Sequence, residues 1–191
     1  MARASKRNLV LDTAETLFVR NGYAATGINQ ITQDAGIASM TLYNNFKNKD
    51  DLVIAVLDRR HDAVFGAIEA AIVAAGPKPE QKILAIFDYL IDHIEAEASQ
   101  NGGVYPGCAF NNAASEFRQL SSPIHQIAIA HYQRIADTIA ALAKAMQHPD
   151  PTGLGQTLMI LANGAMASTQ VMGDLSLAKR ARRAAESLIG A

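Results

Sequence analysis

Between Gly22 and Asp51 the chain reads GYAATGINQITQDAGIASMTLYNNFKNKDD. Within it, Asn29, Gln30, Ser39, Met40, Thr41, Tyr43, Asn44 and Asn45 supply amides, hydroxyls and one thioether, with no acid among them. An amide carries a donor beside an acceptor, the pairing that matches a base edge in the major groove of duplex DNA, and a hydroxyl donates to phosphate oxygens. Such chemistry requires these side chains to stand outside on one surface. Ile31, Ala35, Ile37 and Leu42 recur among them at helical spacing and belong inside. The pattern predicts two short helices, about 28–35 and 39–46, joined by Gly36-Ile37-Ala38, where glycine permits the reversal. Two such helices across a three-residue turn make a helix-turn-helix.

The flanking sequence must hold that motif. Helical periodicity runs almost throughout and no alternating strand pattern is present, so the fold class is all-α. A first helix over about 5–20 places Leu9, Val10, Thr13, Ala14, Leu17 and Phe18 on one face, and Asn21-Gly22 ends it. Asn48 caps a long fourth helix with Asp50 and Asp51 in its first turn, where the helix dipole favours acids. That helix runs through Leu52, Val56, Val64, Phe65 and Ile68 to about residue 75, and Gly76-Pro77-Lys78-Pro79 is the clearest break after it. Further helices are expected over 80–100, 109–120, 123–147, 152–172 and 175–189, about nine in all; Ser122-Pro123 starts one with a capping side chain and a proline at its first position. The organisation is a three-helix head (1–48), a connecting helix (49–75) and a C-terminal helical bundle (76–191).

Composition narrows the function. With 49% hydrophobic residues the chain has a core to bury. A single cysteine, Cys108, excludes an internal disulfide framework and fits a reducing compartment. Residues 1–11 have no apolar run behind their basic residues, so no secretory signal is expected. No stretch matches a membrane span; the nearest, 157–173, is interrupted by Asn163, Ser168, Thr169 and Gln170 and reads as a buried helix rich in small residues. The expected location is the cytoplasm. Net charge is −1, but residues 1–60 hold eight bases against six acids, a head of +2 that leaves −3 for the remainder. Arg3, Lys6 and Arg7 make either a flexible arm on DNA or a solvated end.

No catalytic, cofactor or metal site is expected. There is no His-Glu-x-x-His zinc pattern and no Gly-Lys-Ser/Thr phosphate loop, and Gly153-Leu154-Gly155 lacks the strand a dinucleotide loop follows. His61, His93, His125, His131 and His148 are scattered and read as surface residues.

Residues 9–57 resemble the DNA-binding head of the TetR/AcrR family of transcription regulators. The matching run is Leu17-Phe18, Asn21-Gly22-Tyr23, Ala25-Thr26, Ile31, Ala35-Gly36-Ile37, Thr41-Leu42-Tyr43, Phe46 and Lys49. The resemblance implies that Thr26 caps helix 2 near a phosphate, and that Asn29 and Gln30 face the groove. It sets Ser39, Met40, Thr41 and Asn44 along the recognition helix, with Tyr43, Asn45 and Lys49 on phosphates. Ala38 stands where the family has a capping serine, so Ser39 is the substitute cap; Met40 and Asn29 also depart from the common pattern and put the operator sequence out of reach.

The resemblance further implies a dimer that reads two half-sites of a (pseudo)palindromic operator and an effector-binding body that releases the DNA when a small molecule binds, with helix 4 as the lever. Gly155, Gly164, Ala165, Ala167 and Ser168 let another helix approach 152–172 closely, and Leu175, Leu177, Ala178, Ala181, Ala185, Leu188 and Ile189 follow on 175–189. These two helices form either a dimer interface with their symmetry mates or an intramolecular core. Phe65, Phe87, Tyr105, Cys108, Phe110 and Tyr132 are candidates for lining the effector pocket or are plain core; Cys108 reads as a redox sensor or a small core residue. The competing reading is a ligand carrier or interaction protein whose helix-turn-helix does not hold DNA.

Overall fold

The computed structural model describes residues 5–190. Among them are nine helices and no strand: α1 (Lys6–Asn21), α2 (Ile28–Asp34), α3 (Ser39–Tyr43), α4 (Lys49–Ala74), α5 (Pro79–Gln100), α6 (Ala109–Glu116), α7 (Pro123–Ala145), α8 (Pro151–Met172) and α9 (Ser176–Ile189). No helix of the described residues is long and apolar enough to cross a membrane. Arg3 lies outside the described residues. Lys6 and Arg7 are already helical in α1, so neither belongs to an extended arm.

Several helices end short of their expected limits. α3 stops at Tyr43 because the N–H groups of Asn45 and Phe46 both turn to the Leu42 carbonyl, at 2.9 and 3.0 Å, which tightens the last turn. α6 stops at Glu116 rather than near 120, and the Ser122 N–H closes a turn onto the Gln119 carbonyl at 2.9 Å before α7 starts on Pro123. α7 ends at Ala145, two residues early, where Gln147 takes φ +59° and the His148 N–H returns to the Ala143 carbonyl at 3.1 Å.

The chain folds as two compact units. One holds the residues up to His61 together with Ala109–Ala128. Its core is Val10, Leu11, Ala14, Leu17, Phe18, Tyr23, Ile31, Leu42, Phe46, Leu52, Val53, Val56 and Leu57, all buried. Leu9, expected inside, is 40% exposed and Leu11 is buried instead, a shift at one edge of the stripe that leaves Val10, Ala14, Leu17 and Phe18 inside. Ser5 caps α1 by accepting the Asn8 N–H at 3.2 Å, and Gly22 ends it with φ +83°. Asn48 caps α4 as expected, accepting the Asp51 N–H at 2.8 Å, while Asp51 accepts the Lys47 N–H at 3.1 Å. Arg59 on α4 meets Asp12 (2.6 Å) and Glu15 (2.5 Å) on α1, and Arg60 meets Glu15 at 2.9 Å. Partial burial works against the Arg59 charge, but the bonds to Glu15 and Asp12 outweigh it and hold the guanidinium pKa above its ordinary value.

The other unit holds Asp62–Cys108 and Ile129–Ala191. Here α9 packs on both α5 and α8. Ala178, Ala181, Ala185 and Ile189 form the buried face of α9, and Ile83, Leu84, Ile86, Phe87, Leu90, Ile91, Ile94 and Ala98 that of α5. The α9 alanines are therefore internal. Gly155, read from sequence as a dimer contact, instead lets α8 approach α7: a β-carbon there would sit 2.5 Å from the Ala136 carbonyl oxygen and 3.0 Å from the Ala140 Cβ.

Two substitutions test this packing. Gly155→Ala forces helix backbones apart and should lower unfolding free energy by about 1–3 kcal/mol in chemical denaturation. Thr26→Val removes a buried hydroxyl that donates to the Gly22 carbonyl at 2.7 Å, with the Leu17 carbonyl at 3.3 Å. It should cost about 1–2 kcal/mol in the same assay; wild-type stability in either variant contradicts the packing described.

Candidate nucleic-acid interface

The surface of α2 and α3 follows from what their apolar residues do. Ile31 and Leu42 have no exposed area, and Ala35 and Phe46 are buried with them. With that side inward, Asn29 and Gln30 of α2 are exposed, as are Ser39, Met40, Tyr43 and Asn44 along α3 and Asn45 just after it. Met40 is 70% and Tyr43 51% exposed, large areas for side chains with apolar bodies. Thr41 is half-buried. Gly36, at φ +62°, makes the reversal between the helices, and the Ile37 N–H closes it on the Thr32 carbonyl at 3.0 Å. The amides and hydroxyls predicted as one set are thus gathered on the outside of one unit.

Two of the predicted roles change, and a third residue has a partner inside the protein. Thr26 does not cap α2: the cap position is Gly27, without a side-chain hydrogen bond, and Thr26 is fully buried with its hydroxyl directed back to Gly22 and Leu17. Ser39 does not cap α3 either; Ala38 holds the cap position, in extended backbone, and Ser39 is the first helical residue. Lys49 is occupied within the protein, its Nζ donating to the Ala24 carbonyl at 3.0 Å. A lysine at the first position of α4 is disfavoured by the helix dipole, and this carbonyl compensates it. The Asn45 side-chain amide donates to the Thr41 carbonyl at 2.8 Å, leaving its carbonyl oxygen outward. Arg7, from α1, lies over the Phe46 ring at 5.2 Å, which sets a cation beside the corner between α3 and α4.

A residue absent from the sequence reading completes the site's support. Glu116, at the end of α6, accepts the N–H groups of Tyr23 (2.9 Å) and Ala24 (2.5 Å), one on each carboxylate oxygen. The Tyr23 hydroxyl donates to the Ala109 carbonyl at 3.1 Å, and its ring lies 5.0 Å from Phe18 and 6.2 Å from Phe117. No spacing signal links positions 23 and 116, which is why sequence alone misses the pair.

In the second unit, Phe65, Phe87, Tyr105 and Cys108 are buried, and Tyr132 lies half-buried with its hydroxyl 3.1 Å from Asn163 Oδ1 and 3.2 Å from Cys108 Sγ. Burial, then the neighbouring Cys108, push the phenol pKa up, so Tyr132 stays protonated. His131 is not the surface residue expected: it is buried, with Phe65 and Tyr132 each edge-on at 5.5 Å. The Arg134 guanidinium lies over the Phe65 ring, 4.0 Å from its centroid. Asn163, one of the polar interruptions in 157–173, is the visible sequence signal for this cluster. Phe110 belongs to the first unit, where it meets His61 edge-on at 6.4 Å.

Known proteins bear on this arrangement at two levels. Residues 10–56 match the profile described as bacterial regulatory proteins, tetR family, and residues 79–185 match the tetracyclin repressor-like C-terminal domain. The HTH-type transcriptional repressor KstR2 of Mycolicibacterium smegmatis is 34% identical over 97 residues, 51% of this chain and 47% of that protein. The HTH-type transcriptional activator FasR of the same organism is 30% identical over 98 residues, 51% of this chain and 44% of that protein. The match thus spans about half the length of each of these relatives. The crystal structure of SCO4454, a TetR-family transcriptional regulator from Streptomyces coelicolor, superposes with a TM-score of 0.89 at 28% identity over 97% of this chain and 88% of that one. With both profiles matched in order, over a helix-turn-helix whose polar face is turned out, the chain belongs to the TetR family of bacterial transcriptional regulators.

Proposed function

We propose that this chain is a cytoplasmic, ligand-responsive transcriptional repressor that grips a (pseudo)palindromic duplex as a homodimer. The observation that carries the reading is the outward side of α3, where Ser39, Met40, Tyr43 and Asn44 stand exposed beside a fully buried Leu42. Residues 1–48 dock on DNA, 49–75 connect, and 76–191 bind the effector and dimerise. Asn29, Gln30, Ser39, Met40, Thr41 and Asn44 read base edges, Met40 through contact with a thymine methyl. Tyr43 and Asn45 hold phosphates, and Lys49, with one N–H on the Ala24 carbonyl, offers its other two to a phosphate. Thr26 supports them from inside the head.

Dimerisation follows from a need and a surface. Two heads read half-sites about 34–36 Å apart, or a multiple of that. On α8, Ile160 (64% exposed), Gly164, Ala167, Ser168 and Val171 (85% exposed) share one outward face at helical spacing, apolar and small enough for close approach by a symmetry mate. Leu188 of α9 is also exposed, at 50%. The α9 alanines take no part, being packed on α5 and α8. A small molecule that favours a conformation with unsuitably placed heads lowers operator affinity, and operator lowers ligand affinity by the same factor. The residues that support an effector site in the second unit are Phe65, Phe87, Tyr105, Cys108 and Tyr132, with His131 and Asn163 added by the polar cluster. Repression, rather than activation, follows the KstR2 relative; FasR is named an activator.

Selection of bound duplexes from a random pool tests the docking assignment. The wild type should recover a palindrome, Asn44→Ala should change preference at one base position at a cost of about 1–3 kcal/mol, and Tyr43→Phe should weaken all duplexes alike. Recovery of no duplex, or affinity without steep salt dependence, sinks the reading in favour of a ligand carrier. For the interface, the double substitution Ile160→Asp with Val171→Asp should convert the dimer to monomer in sedimentation velocity; a wild-type sedimentation coefficient moves the interface elsewhere.

A further inference from the structure

Resting on the docking assignment above, we propose that Glu116 is a positioning residue for the DNA-reading helices, acting on the turn that leads into α2. Three polar backbone groups of this turn are held by side chains distant in sequence. Glu116 takes the Tyr23 and Ala24 N–H groups (2.9 and 2.5 Å), and Lys49 takes the Ala24 carbonyl (3.0 Å). α6 is anchored to the same residue at both ends, because the Tyr23 hydroxyl reaches the carbonyl of Ala109, its first residue (3.1 Å), while Glu116 is its last. Gly22 makes room for the carboxylate: a β-carbon there would lie 2.9 Å from Glu116 Oε1, and the backbone is at φ +83°.

The same turn is held from inside by the buried Tyr23 ring, 5.0 Å from Phe18 and 6.2 Å from Phe117, and by the buried Thr26, whose hydroxyl donates back to the Gly22 carbonyl at 2.7 Å. Gly27 begins α2 without a side-chain cap. With no cap to fix its first turn, the direction in which α2 leaves is sensitive to where the Tyr23 and Ala24 amides are held. A carboxylate accepting two N–H groups makes charge-assisted bonds in a fork, which fixes direction as well as distance. Glu116 is itself exposed, so water competes for the carboxylate and the grip is of the strength a conformational change can break. A displacement of the α6 C-terminus beyond hydrogen-bond reach must carry the turn with it or release both amides. Glu116 touches no DNA in this scheme; it works through Tyr23 and Ala24.

The test uses the full chain with Glu116→Gln, which keeps size but replaces one acceptor by a donor, and Glu116→Asp, which keeps the charge. In free protein, amide hydrogen exchange in the Gln variant should accelerate at Tyr23 and Ala24 and through 28–34, and stay unchanged in α5 and α9. On the duplex recovered by random selection, its affinity should fall roughly tenfold with an unaltered salt slope, and Glu116→Asp should restore part of the loss. Wild-type exchange across 28–34 together with wild-type affinity overturns the proposal, even if Tyr23 and Ala24 exchange faster. Acceleration that extends to α5 and α9 also overturns it, by making Glu116 a residue of general stability. If the wild type recovers no duplex, the docking assignment fails by itself, and exchange across 28–34 still decides what Glu116 holds.

Discussion

Burial of Ile31 and Leu42 in the head core governs the surface that α2 and α3 present. Both have no exposed area, and they sit on helices of seven and five residues that are too short to persist alone in water. A helix of five residues has no inherent rotation; its facing is decided by which side chain is driven from water. Because Leu42 goes inward with Phe46, the intervening Tyr43 and Asn44 go outward, Met40 with them, and Ser39 is exposed at the first position of α3. The remaining head contacts, from Arg59 and Arg60 on Asp12 and Glu15 to Asn48 on Asp51, hold the surface on which those two residues rest.

Polar groups inside the second unit are paired in a way that explains their place in an otherwise apolar helix. Asn163, Thr169 and Gln170 interrupt the hydrophobic run of α8, and each meets a polar partner. Asn163 faces the Tyr132 hydroxyl at 3.1 Å, Thr169 reaches the Asp174 carbonyl at 3.4 Å and Gln170 donates to the Pro106 carbonyl at 2.9 Å. Burying a polar group is unfavourable unless it is bonded, which accounts for the partners of Asn163 and Thr169; Gln170 is exposed and makes its bond at the surface. The head's surplus is only +2 by sequence, and one of its cations, Lys49, is turned onto Ala24. On the docking proposed above, contact by amides and hydroxyls adds to an attraction of phosphate that a surplus of +2 keeps small.

How much of this was legible follows from the range of the forces involved. Helix periodicity, the Asn48 cap, the glycine turns and the head motif depend on residues within a few positions of each other, and they stood in the sequence with boundaries off by a few residues. The inward and outward sets on α2 and α3 were legible for the same reason: spacing alone sorts them once Ile31 and Leu42 are taken as core. Tertiary structure decided what spacing cannot reach. It moved the Thr26 hydroxyl from a cap to the interior, buried His131 among aromatic rings, turned the α9 alanines onto α5 and α8, and brought Glu116 to the amides of Tyr23 and Ala24. Glu116 and Tyr23 lie 93 positions apart, and their approach is set by the packing of whole helices. A one-dimensional pattern carries no record of that approach.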